Sequence, residues 1–207
     1  MSVEDTLKLA EINDENLAFK EADSLWLGAN ENESELLERR LENLCRLQDL
    51  SCRKLDRRSL KYHSKITSIL EMKGKLLGEY KYYYRAWTYL LAADWLYRND
   101  MAEIAIDCYF RALIFQGNYA LKDGGKLLFE TMQAILACYR KMEDKDTMNY
   151  ILADFDQKAE GMEEIYRSAY RLIRDRLKNG TDLNVQDPEV LRLIENSFFA
   201  ELLKEEE

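Results

Sequence analysis

Glu79-Tyr-Lys-Tyr-Tyr-Tyr-Arg-Ala-Trp-Thr-Tyr-Leu-Leu-Ala-Ala-Asp-Trp-Leu-Tyr97 places eight aromatic residues in nineteen positions. On a helix of 100° per residue these do not form one stripe. Tyr82, Tyr89 and Ala93 fall together, Tyr80, Tyr84 and Trp87 lie opposite, and Tyr83 and Tyr97 fill between. Only the sector of Lys81, Arg85 and Thr88 is polar. A helix apolar around nearly its whole circumference has to be covered on several sides, so this stretch predicts an inner helix. Aromatics interleaved with Lys81 and Arg85 are also the signature of single-strand binders, but those stacking platforms usually lie on sheets. Packing is the better account, and any binding role falls to the aromatics it leaves uncovered, with Tyr82, Tyr83 and Trp87 as candidates.

Outward from this helix, Asn99-Asp100 supplies a turn and Met101 to Gln116 reads as a second helix closed by Gly117 as a left-handed cap, giving a helical hairpin. The polar, glycine-rich loop 117–125 precedes helices over Lys126–Met142 and Asp146–Glu160. After Gly161 a further helix runs from Met162 to Lys178. Asp187-Pro188 combines an N-cap with proline at the first helical position, starting a helix to Lys204. On the other side, Asn32-Glu-Ser-Glu35 fits a helix start, and no glycine or proline follows until Gly74. Apolar positions at Leu37, Leu41, Leu44, Cys52, Leu55, Tyr62, Ile66 and Leu70 keep helical spacing. The weak patch around Gln48 and Ser51 predicts either one long helix or two broken near Asp49-Leu-Ser51. No run has two-residue periodicity, so no sheet is expected.

Residues 86–117 resemble a tetratricopeptide repeat. Ala-Ile-Asp-Cys-Tyr-Phe-Arg-Ala-Leu (105–113) looks like the second helix of that repeat, with Ala105, Tyr109 and Ala112 at its small, aromatic and small positions. In the first helix Ala93 stands at the small position, Tyr89 at the bulky one and Leu96 where an aromatic is usual. Ala92 replaces a large apolar residue, and Gly117 the customary proline. A second copy, 126–160, is degenerate: Ala-Cys-Tyr-Arg-Lys-Met (137–142) echoes Trp-Leu-Tyr-Arg-Asn-Asp (95–100), and its second helix offers Met148, Leu152 and Phe155. The spacing exceeds the family's period of roughly 34 residues, an excess the loop 117–125 could absorb. The resemblance implies an α-solenoid fragment whose concave face binds a peptide or another protein.

The 207 residues, 47% apolar with one proline and eight glycines, suit a single all-α domain over 35–204. Its expected form is a helical-hairpin array of six or seven helices, with a long N-terminal helix and C-terminal capping helices. Residues 1–34 read as an acidic, flexible or loosely docked segment, with apolar islands such as Leu25-Trp26-Leu27, and 205–207 as an acidic tail. A net charge of −9 makes nucleic acid an unfavourable partner for the protein as a whole. The charge is uneven, however. Residues 1–35 carry ten acids against two lysines, while 36–65 carry nine basic against four acidic groups, among them Arg53, Arg57 and Arg58. This cationic face could meet an acidic peptide or helix, or the chain's own acidic N-terminus. No apolar run approaches the roughly 18 residues of a membrane span, and no signal peptide is apparent. The expectation is a cytoplasmic protein, with nuclear entry left open by Arg53-Lys-Leu-Asp-Arg-Arg58.

Catalytic constellations are sparse. His63 is the one histidine and reads as a surface or interface residue. Cys45, Cys52, Cys108 and Cys138 form no C-x-x-C pair and read as small buried apolar groups. Lys122-Asp-Gly-Gly-Lys126 lacks the serine or threonine and the preceding strand of a phosphate loop. Asp144-Lys-Asp146 reads as a helix cap rather than a calcium loop. No cofactor or metal is expected. These readings favour a non-enzymatic interaction module, a scaffold or adaptor that binds a partner through an aromatic-lined groove and a cationic helix face. Two alternatives stay open: a helical-bundle enzyme or ligand-binding regulator using inward carboxylates such as Asp94 and Asp107, and a coiled-coil protein self-associating through 36–70.

Overall fold

The computed structural model describes residues 33–117, 123–179 and 185–197, and among them it contains eight α-helices and no strand. They are α1 (Glu33–Arg53), α2 (Arg58–Lys73), α3 (Tyr80–Arg98), α4 (Ala102–Gly117), α5 (Lys126–Lys141), α6 (Lys145–Ala159), α7 (Glu164–Asn179) and α8 (Pro188–Glu195), with a 3₁₀ turn over Gly74–Leu77. The all-α class is as expected. Residues 1–32 of the acidic N-terminal segment, including the helix start at Asn32, lie outside the described residues, as do Lys122 and the tail beyond Ser197.

Antiparallel neighbours pack in chain order, and α1 also packs on α3, α3 on α5 and α5 on α7. The odd-numbered helices therefore form one continuous layer, an arrangement compatible with a helical-repeat array. Two hydrophobic cores share α3. The smaller unites α1, α2 and α3 through Leu41, Leu44, Tyr62, Ile66 and Tyr84. The larger runs from α3 to α8 through Ala93, Tyr109, Met132, Phe155 and Tyr170. Tyr83 and Trp87 pack against both. The aromatic helix is thus an inner helix whose sides face different cores, which explains why its apolar residues occupy no single stripe. Ala93, Ala105, Tyr109 and Ala112 are fully buried. Small residues there let α3 and α4 approach closely.

The break between the first two helices falls at 54–57, not at Asp49-Leu-Ser51. Gln48 and Ser51 are buried inside α1, and the chain turns instead where Leu55 takes a left-handed φ of 55°. The Asp56 carboxylate then accepts the Arg58 N–H at 2.9 Å. Gln48 tolerates burial because α3 satisfies it: its Nε2 donates to the Thr88 carbonyl at 2.9 Å, and its Oε1 accepts the Thr88 hydroxyl at 2.6 Å. Thr88, read as part of the polar sector, is fully buried. His63 joins from α2, its Nδ1 3.1 Å from Thr88 Oγ1 and 3.2 Å from the Thr88 carbonyl. The hydroxyl proton is engaged by Gln48, so Nδ1 is the donor and carries the proton. Desolvation holds the His63 pKa below its usual 6.5. This histidine therefore belongs to a polar clasp joining three helices. Gln48→Ala leaves the Thr88 hydroxyl without its acceptor and is expected to destabilise by roughly 1–3 kcal/mol in urea unfolding. An unchanged midpoint would mean the clasp contributes no stability.

Gly117 is the last residue of α4 and is not left-handed, so it does not cap the helix as expected. Positive φ falls instead on Gly78 (57°), after the 3₁₀ turn, and on Gly124 (66°) and Gly125 (96°), at the entry to α5. There Glu163 N–H donates to the Gly124 carbonyl at 2.8 Å, and a Cβ on Gly125 would sit 3.2 Å from Met162 Cα. The same bond holds the chain out of helix at Met162, so α7 starts at Glu164, two residues later than expected. Asp123 accepts the N–H groups of Gly125 at 3.2 Å and Leu127 at 3.0 Å, occupying the helix end where an anion would have to bind. Asp144 caps α6 and Asp187 caps α8, as expected. α8 stops at Glu195, short of Lys204. Asn196 donates from its side chain to the Arg192 carbonyl at 2.7 Å, and Ser197 from its hydroxyl to the Ile194 carbonyl at 2.6 Å.

Candidate functional site

Trp87, Leu90, Leu91, Asp94 and Arg98 recur at spacings of three and four along α3 and so share one face. That face opens on a groove of about 840 Å³. α1 contributes Asp49, Cys52 and Arg53; α5 contributes Lys126, Phe129, Glu130 and Gln133. Ile165 of α7 and the α8 residues Glu189, Arg192 and Leu193 close the other side, and Ser197 follows on the same wall. The odd-helix layer thus forms the groove and α8 borders it. Cys52, Leu90, Leu91 and Phe129 are buried and form an apolar floor, while Arg53, Arg98, Glu189 and Arg192 are exposed.

Several of the charges are already paired. Arg53 grips Asp49 with Nε–Oδ1 at 3.0 Å and Nη2–Oδ2 at 2.9 Å, and Lys126 Nζ lies 3.8 Å from Glu130 Oε1. Asp94 accepts the Tyr109 hydroxyl at 2.8 Å. Desolvation pushes Asp94 up to about 8, with Glu130 and Asp49 adding to the rise and the Tyr109 bond and Arg98 opposing it. Desolvation likewise pushes Glu130 up to about 7, against the pull of Lys126. The Glu130 side chain is nevertheless 40% exposed, so water in the groove weakens the effect on this group. Both shifts favour the protonated acid, which donates as well as accepts a hydrogen bond, and they do so more firmly at Asp94 than at the more exposed Glu130.

Of the six residues expected from the sequence to bind a partner, the groove brings together Trp87 and Arg53. Tyr83 instead packs between the cores, edge-on to Tyr84 at 5.4 Å and tilted against Trp87 at 5.8 Å. Tyr82 is half-buried, with Lys81 Nζ 4.8 Å from its ring centroid. Arg57 is exposed in the α1–α2 connection, and Arg58 pairs with Asp56 at 2.6 Å. The basic face is interleaved with acids, since Arg46 also pairs with Glu42. Asp94 faces the groove, whereas Asp107 is exposed on α4 rather than inside the hairpin. Phe129, Glu130, Ile165 and Leu193 do not stand out in the sequence. One signal does exist for α5: Lys126, Phe129, Glu130 and Gln133 repeat the spacing of Trp87, Leu90, Leu91 and Asp94.

All four cysteines are free thiols; three are buried, and burial pushes Cys52 and Cys138 up to about 12. Such thiols are poor nucleophiles. Among the described residues no three metal-binding side chains are grouped to hold an ion, and no helix is long and apolar enough to cross a membrane. No protein-family model, curated protein or solved structure matches this chain.

Proposed function

We propose that the chain is a non-enzymatic protein–protein interaction module, a tetratricopeptide-like scaffold or adaptor subunit, whose groove takes one helix or peptide of a partner. The observation that carries this reading is the groove itself, with an apolar floor of about four side chains set in the odd-helix layer and a charged rim. A helix that lays apolar anchors on such a floor gains burial, and acidic residues beside those anchors meet Arg53, Arg98 and Arg192. The apolar positions that would make a coiled-coil seam within 36–70, including Leu37, Leu41, Leu44 and Ile66, are spent inside the chain's own core, which favours the adaptor over self-association.

The test is selection from a displayed peptide library, followed by titration against a groove variant and a control, each checked for unchanged helicity and melting temperature because Leu193 packs against the larger core. Selected peptides are expected to lose at least tenfold in affinity for Arg98→Glu combined with Leu193→Asp, a change of about 1.4 kcal/mol, and to bind Arg57→Glu as they bind wild type. Equal binding to the groove variant would sink the reading. A second reading, a ligand-binding regulator, is favoured by the raised pKa of Asp94 and Glu130 in one cavity. Peptides indifferent to both variants, with thermal shifts from small polar ligands that Asp94→Leu abolishes, would transfer the groove to that class.

A further inference from the structure

The last described residue, Ser197, lies on the groove wall. α8 has closed by this point, since Asn196 and Ser197 bond back to the Arg192 and Ile194 carbonyls at the groove's edge. The ten residues that follow are Phe-Phe-Ala-Glu-Leu-Leu-Lys-Glu-Glu-Glu (198–207). Phe198, Phe199, Leu202 and Leu203 would share an arc of about 140° on a helix, the pattern of a segment that lays one apolar face into a groove. As a helix the ten residues would extend about 15 Å. Beyond the apolar anchors come three consecutive glutamates, and the groove rim carries Arg53, Arg98 and Arg192. The rim also carries Glu189 and Glu195, so its charge orients an acidic segment towards the arginines rather than attracting it indiscriminately.

We propose that residues 198–207 occupy this groove in cis, with Phe198, Phe199, Leu202 and Leu203 on the floor of Cys52, Leu90, Leu91 and Phe129. The inference deepens the proposed function and rests on it in one respect: the segment holds the site a partner helix takes, and the partner must resemble it, with two adjacent large apolar residues, two more one turn later, and acids beyond. A tether this short keeps the segment's effective concentration high, so a partner has to displace it.

The experiment places a photo-crosslinking p-benzoylphenylalanine at position 199 of the full chain and maps the adducts by mass spectrometry in an equal mixture of ¹⁵N-labelled and unlabelled protein. The expected adducts are within one chain and join residue 199 to groove segments of α3, α5 or α7. Adding Leu193→Asp, checked for unchanged helicity, is expected to reduce them about tenfold. Adducts that pair labelled with unlabelled chains would overturn the proposal in favour of a second copy. Adducts confined to other surfaces, or insensitive to Leu193→Asp, would overturn it outright. Neither result depends on whether displayed peptides bind, so failure here is distinguishable from failure of the interaction module itself.

Discussion

Trp87→Ala is expected to lower the melting temperature by roughly 6–12 °C and to broaden or split the unfolding transition. Truncating a large aromatic in a core typically costs about 3–5 kcal/mol, and the lower end applies because Trp87 is only half-buried. In a chain of this size each kcal/mol displaces the midpoint by roughly 2–4 °C. The splitting follows from position. Trp87 and Tyr83 pack against both the α1–α2–α3 core and the larger core, so the indole is part of the seam that couples them. Removing it leaves the α1–α2–α3 core coupled to the larger core through Tyr83 and through the packing of α3 on α4 and α5, so the first two helices can melt ahead of the rest. Calorimetry supplies the measurement, with Tyr82→Ala as control, since that ring belongs to neither core and has Lys81 Nζ 4.8 Å from its centroid. A control loss below about 1 kcal/mol is expected. A single sharp transition moved by less than about 3 °C in Trp87→Ala would show that the two cores do not communicate through this residue.

The fold was legible where packing follows from periodicity, and the groove was legible only in part. Helical spacing and caps place α3, α5 and α6 within a residue or two, because Asp144 and the Asn99-Asp100 turn act locally. Gln48 misleads for a non-local reason: a glutamine at an apolar register looks like a break until Thr88, forty residues away, supplies both its partners. Gly117 misleads because a glycine near a helix end looks like a cap, while the positive φ angles of the α4–α5 connection belong to Gly124 and Gly125, which contact Glu163 and Met162. Trp87 and Arg53 stand out as binding candidates because aromatics and arginines attract attention in any sequence. That both rings enter the seam and only Trp87 also lines the groove depends on where α1 and α5 sit, and one helix's wheel holds no record of that. Leu193 and Ile165 carry no signal of their own; they matter because α7 and α8 return to the α3 face.

The pH dependence of stability tests the electrostatics of the groove. The folded-state pKa of Asp94 is raised from 3.8 to about 8, so between those values the folded chain holds a proton that the unfolded chain has released. Stability from this group is complete below about pH 4 and is lost as pH rises through 8. Glu130 acts in the same direction from 4.5 to about 7. His63 acts oppositely: its lowered pKa favours the neutral ring, so it removes stability as pH falls below 6.5. Asp94→Asn keeps an oxygen to accept the Tyr109 hydroxyl and removes the charge. The variant should match wild type near pH 4 and exceed it by roughly 1–3 kcal/mol at pH 9, a figure well below the full shift because the groove admits water. Urea unfolding at pH 4, 7 and 9 provides the comparison, and parallel profiles for the two proteins would show that Asp94 ionises as if in solvent. The outcome also bears on recognition. If Asp94 stays protonated at neutral pH, the arginines at the rim act against fewer opposing charges inside the groove, and an acidic helix is favoured over a basic one. Raising the pH through 8 then weakens that preference at the same position where it weakens the fold.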